Sequence, residues 1–101
     1  MTNSETASGI DFNAEEAYWR EHFSSRPYII GGTIFNECRP AYRYGVRSCL
    51  RRDGRSFEQS EPELMRDWDR VKGTSSLTWE NARHAARDAW QRVSDGQART
   101  G

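Results

Sequence analysis

The chain has 101 residues, 35% of them hydrophobic, with fifteen basic side chains balancing fifteen acidic ones and a mean hydropathy of -1.00. That length supports one domain and excludes two. Four Trp, four Tyr and four Phe exclude a disordered composition, since rings that bury roughly 150 to 250 Å² each can close a small core.

Residues 1–13 are polar and rich in Ser, Thr and Asn, which predicts a disordered tail ahead of a single helical domain over 14–95 and a frayed end at 96–101. Asn13 is placed to cap a first helix, AEEAYWREHF, with Glu15 and Glu16 in the turn where the helix dipole favours acids. Arg26 precedes Pro27 and is steered out of the helical region, so this helix should stop near Ser24. Ser24 to Thr33 has strand character at Tyr28 to Ile30 but no second run to pair with, and reads as an extended connector laying Tyr28 and Ile30 on the helices.

Thr33 to Arg52 organises the rest as a central helix opening at Thr33 or Asn36. Phe35, Cys38, Tyr42, Val46, Cys49 and Leu50 recur at three and four, the spacing of a core-facing stripe. Arg39, Arg43, Arg47 and Arg51 recur at four along the edge of that stripe and form a ladder, which Arg52 extends. Pro40 suits only a first turn, and Gly45 points to close approach by a neighbouring helix or an aromatic ring.

Two capping boxes overlap at the third helix, Ser56 with Gln59 and Ser60 with Glu63, and Pro62 favours the start at Ser60. Leu64, Met65, Trp68 and Val71 read as its buried stripe, and Gly73 as its stop. Thr78 caps a last helix to Val93, where Trp79, Ala82, Ala86, Ala89, Trp90 and Val93 line one face with a groove of alanines between two tryptophans. The fold expected is all-α, a small bundle or irregular array of about four helices with a flexible N-terminal tail.

Charge is uneven along the chain: net -4 over residues 1–37, +5 over 38–57 and -1 over 58–101. The ladder supports two readings. It could bind phosphates, with Tyr42 and Tyr44 stacking single-stranded bases. Alternatively it pairs internally with Glu58, Glu61, Glu63, Asp67 and Asp69 of the third helix, which zero net charge favours.

Cys38 and Cys49 would stand about 16 Å apart on one helix, beyond disulfide reach, and read as small buried hydrophobes. Reduced thiols, with no leader, lipidation signal or spanning apolar run, point to the cytoplasm and to no membrane partner. Glu80, His84 and Asp88 share a helix face but lack a second His or Cys at ligand spacing, so no metal site is expected. No acid, base and nucleophile set can be named and no phosphate loop follows Gly31 and Gly32, so neither catalysis nor a cofactor is expected.

The blocks YWREHFSSRPY, RPAYRYG, ELMRDWDRVKG and SLTWENARHAARDAW, spanning about Glu15 to Val93, resemble a family of small bacterial proteins that carry similar blocks in the same order. The resemblance implies a single cytoplasmic domain associated with stress-response genes, and no activity, cofactor or catalytic residue. The function expected is therefore a non-enzymatic helical protein-interaction module in a stress or regulatory setting. Twelve rings and an alanine groove further suggest a homodimer, with Trp19, Tyr42, Trp68, Trp79 and Trp90 as core or interface anchors. The alternative is nucleic-acid or other polyanion binding through Arg39, Arg43, Arg47, Arg51 and Arg52.

Overall fold

The computed structural model describes residues 11–29 and 33–100, with side chains placed through residue 96. The first ten positions of the expected tail, Ile30, Gly31 and Gly32 of the connector, and Gly101 lie outside the described residues. The chain is all-α, as its periodicities require: α1 (Phe12–His22), a 3-10 turn (Phe23–Ser25), α2 (Phe35–Leu50), α3 (Phe57–Val71) and α4 (Trp79–Thr100). No helix among the described residues is long and apolar enough to cross a membrane.

Asp11, not Asn13, caps α1, its carboxylate accepting from the backbone N–H groups of Asn13 at 3.0 Å and Ala14 at 3.2 Å. A charged acceptor answers the helix dipole as well as the free N–H groups, which an amide cannot do. Arg26 takes the extended conformation its proline imposes, and the Ile29 N–H then closes a turn on the Arg26 carbonyl at 3.2 Å. The described part of the connector is thus a turn, and it lays Tyr28 on the helices. The Tyr28 hydroxyl donates to Asp88 at 2.7 Å, which leaves the Tyr42 hydroxyl as donor to Tyr28 at 2.9 Å.

Two helices open earlier than their prolines suggest. α2 begins at Phe35 and α3 at Phe57, so Pro40 and Pro62 each occupy a sixth helical position rather than a first turn. An interior proline costs about 3 kcal/mol, and burying a phenylalanine returns about 2 to 3 kcal/mol. The extra turn buries Phe35 in one helix and Phe57 in the other. For α3 the box that forms is Ser56 with Gln59: the Ser56 hydroxyl accepts from the Gln59 N–H at 3.1 Å, and the Gln59 side chain accepts from the Ser56 N–H at 2.8 Å. Its buried stripe is Phe57, Ser60, Leu64 and Trp68, while Met65 (56% exposed) and Val71 (40%) stand outside it.

α2 runs through the middle, and its expected stripe is enclosed, Leu50 partly so. α4 lies against it along Ala82, Ala85, Ala86 and Ala89, all buried. At Gly45 the approach is so close that a Cβ would stand 2.1 Å from the Ala86 carbonyl oxygen. α1 covers another side, with Trp19 stacked on Tyr42 at 4.7 Å between ring centroids. α3 covers a third, where the buried Tyr44 hydroxyl donates to the Leu64 carbonyl at 2.9 Å. α3 is held to α4 by Glu61, whose carboxylate accepts from Arg83 and from the Trp79 indole N–H. Without a proline to stop it, α4 continues past the expected end at Val93 to Thr100.

This packing uses up both grounds for a dimer. Of the twelve rings, eight are buried, Tyr18, Phe23 and Tyr28 are partly buried against the core, and only Phe12 is exposed, at 40%. The alanine groove of α4 is filled by α2 of the same chain. Trp19, Tyr42, Trp68, Trp79 and Trp90 are accordingly core residues, none more than 8% exposed.

Gly45→Ala should gain about 1 kcal/mol of helix propensity and lose more, since overpacking against backbone typically costs about 1 to 3 kcal/mol. Urea denaturation should show a net loss, and an unchanged midpoint would mean that α2 and α4 do not meet at Gly45.

The Arg83 guanidinium, with the Trp79 N–H, holds the Glu61 carboxyl below its ordinary 4.5. A depressed carboxyl stabilises the fold above the unfolded value and loses that contribution as pH falls through the folded one. Glu61→Gln should therefore cost about 1 kcal/mol near neutral pH and flatten the decline in stability below pH 4.5, read from denaturation midpoints across pH.

Candidate functional site

The arginine ladder is open. The five acids of α3 are all taken by other cations: Glu58 by Arg87 at 2.6 Å, Glu61 by Arg83, Glu63 by Arg55 at 3.4 Å, Asp67 by Arg66 and Arg70 at 3.2 and 2.6 Å, and Asp69 by Lys72 at 3.5 Å. Internal pairing of the ladder with α3, favoured by net charge, does not occur. The reason is angular: α2 buries Gly45 against α4, and the ladder lies nearly opposite that residue on the helix.

Among the described residues only the first rung has a counterion. The Arg39 guanidinium lies 3.0 Å from the Glu16 carboxylate of α1, which also holds Arg20 at 3.2 Å. Arg43, Arg47 and Arg51 are exposed and form no ion pair among the described residues. Arg52 is not part of the ladder's surface. It turns back to the end of α2, donating to the Cys49 carbonyl at 2.7 Å and contacting the Cys49 sulfur at 2.9 Å, the usual service of a cation at a helix C-terminus.

Arg39, Arg43 and Arg47 form one wall of a groove of about 550 Å³, together with Asn36, Pro40 and Tyr44 of the same helix. The facing wall is the end of α3 and its turn, Val71 to Thr74, where Gly73 adopts φ +60 and lets the chain leave the helix at once. Lys72 adds a fourth cation from this second wall. From Arg39 to Arg47 the track is about 12 Å long, at 1.5 Å per residue. Pro40 has no N–H to offer the Asn36 carbonyl, so the α2 ladder lacks one backbone bond within the same stretch.

The tyrosines do not contribute stacking surface. Tyr42 is 2% and Tyr44 7% exposed, and burial pushes the Tyr44 hydroxyl up to about 12, so it stays a phenol and a donor to Leu64. Base stacking on Tyr42 and Tyr44, one of the sequence expectations, is therefore ruled out by their burial. Lys72 and Val71 as groove residues were not foreseeable from helical spacing, because nothing in the periodicity of α2 says that the end of α3 will face it.

The remaining sequence candidates have structural roles. Cys38 and Cys49 are buried free thiols, and burial pushes the Cys38 thiol up to about 11 and raises Cys49 as well. Both are poor nucleophiles in that state. Asp88 is engaged by Arg26 at 2.8 Å and by Tyr28, and His84 stacks on the Tyr28 ring at 5.6 Å.

No protein-family model, curated protein or solved structure is matched by the chain. The geometry of the groove therefore stands on this chain's own residues.

Because Arg43 and Arg47 have no internal partner among the described residues, reversing both to Glu should leave folding intact, within about 0.5 kcal/mol of the parent. Denaturation midpoints check this, and a large loss would restore internal pairing as the ladder's role.

Proposed function

We propose that the chain is a small non-enzymatic helical module that binds a polyanionic partner through the α2 groove, in the bacterial stress or regulatory setting its sequence blocks suggest. The observation that carries this reading is a one-sided surplus of positive charge. Arg43 and Arg47 stand exposed and without a counterion among the described residues, in a groove with Arg39 and Lys72, which are paired with Glu16 and Asp69, while the other four acids of α3 are engaged away from the groove. A neutral chain that leaves Arg43 and Arg47 side by side without counterions among the described residues has a local field there despite its zero total.

Guanidiniums suit this task because their planar forks meet a carboxylate or phosphate in two parallel hydrogen bonds. The alternative form of interaction, self-association through aromatic or alanine surface, has lost that surface to the core.

Titration of a fluorescent polyanion, linear polyphosphate or polyglutamate, at rising salt tests the reading. With about four cations engaged, affinity should fall with a log-log slope of about 3. The folded R43E/R47E double variant should lose at least tenfold, the equivalent of about 1.4 kcal/mol. A salt-insensitive affinity, or one unchanged by the double variant, would remove the groove as the binding surface.

A further inference from the structure

Resting on that polyanion reading, we infer that the groove's partner is an acidic amphipathic helix of another protein, one that carries carboxylates at one-turn spacing beside an apolar side chain. Several features of the groove choose this over nucleic acid.

A helix-borne carboxylate already sits on the ladder. Glu16 of α1 reaches Arg39 at 3.0 Å from a neighbouring helix, and so shows the geometry in which α2 accepts an acid. Arg43 and Arg47 repeat that rung at about 6 Å intervals, which is also the rise between carboxylates four residues apart on a partner helix. Two helices with the same rise keep register over the whole track. A third carboxylate contact at Lys72 would close the opposite side.

The groove is also partly apolar. Val71 ends α3 with 40% of its surface exposed, at a place where helical spacing alone would bury it, and it stands in the groove with Pro40. A phosphate backbone has no apolar group to cover these side chains, whereas a leucine beside a glutamate does.

Nucleic acid lacks what it would need. The rings that could stack bases are buried. A track of about 12 Å meets few phosphates.

The test uses the full chain and a fluorescein-labelled peptide of about 12 residues, three turns of helix. It carries Glu at four-residue spacing and Leu on the adjoining face, and is read by anisotropy. A peptide of equal composition with Glu at alternate positions, a short DNA duplex and linear polyphosphate are the comparisons. The designed peptide should bind at least tenfold tighter than the alternate-spacing peptide and than the duplex. Val71→Ala, a change at an exposed helix end that favours helix, should weaken the designed peptide about fivefold through lost methyl contact and leave polyphosphate unchanged.

If the duplex or polyphosphate binds as tightly as the designed peptide and Val71→Ala moves none of them, the groove reads phosphate; this inference then fails while the polyanion reading stands. If no anion binds at low salt, both fail together.

Discussion

The contact between Gly45 and the Ala86 backbone sets the geometry of the whole chain. A helix pair at that separation admits no Cβ at the crossing, so the one glycine inside α2 and the run of alanines in α4 are matched parts of one joint. With α4 fixed there, the large rings must go to the sides. Trp19 and Tyr42 fill the α1 side, and Tyr44, Trp68 and Trp79 fill the α3 side, with ring centroids about 6.0 Å apart between Tyr44 and each tryptophan. Small residues at the centre and aromatic ones around it let a chain of low hydrophobic content enclose a core. The same joint decides where charge can go, because the arc of α2 farthest from α4 is the arc left to the arginines.

Most of the fold could be read from apolar spacing. The stripe of α4 and, but for the half-buried Leu50, that of α2 are enclosed residue by residue, since helical periodicity is a statement about one helix and both stripes are complete within theirs. The misreadings concern terms that compete. Pro40 and Pro62 obey a local rule whose cost the burial of Phe35 and Phe57 largely offsets, and for α3, opening at Ser56, a closed capping box adds to that burial. Met65 and Val71 are apolar and sit near the α3 stripe, but the stripe is narrow and runs through Ser60 instead. A polar Ser60 at 3% exposure, its hydroxyl without a partner, is not a residue that hydropathy would have selected.

The candidate site was half legible. The ladder's register is written in the spacing of Arg39, Arg43 and Arg47, and that part needs no tertiary information. Whether those charges are neutralised depends on which way α3 faces, and net charge gave the wrong answer because it counts acids without their direction. Glu58 and Glu61 face α4 and its arginines, and Asp67 is held by arginines of its own helix, so equal totals coexist with an open cationic strip. The second wall of the groove belongs to a different helix end and is a product of assembly alone.

Fourteen of the fifteen basic side chains are arginine, and the single lysine, Lys72, lies on the rim of the groove. Guanidinium charge is permanent under physiological conditions, whereas an amine can be acylated and its charge erased. Side-chain amine chemistry therefore has one address on this chain. A reagent or an acyl-transferring enzyme that reaches Lys72 alters the field of the groove and of no other surface, and a dye attached there reports on that groove from its edge.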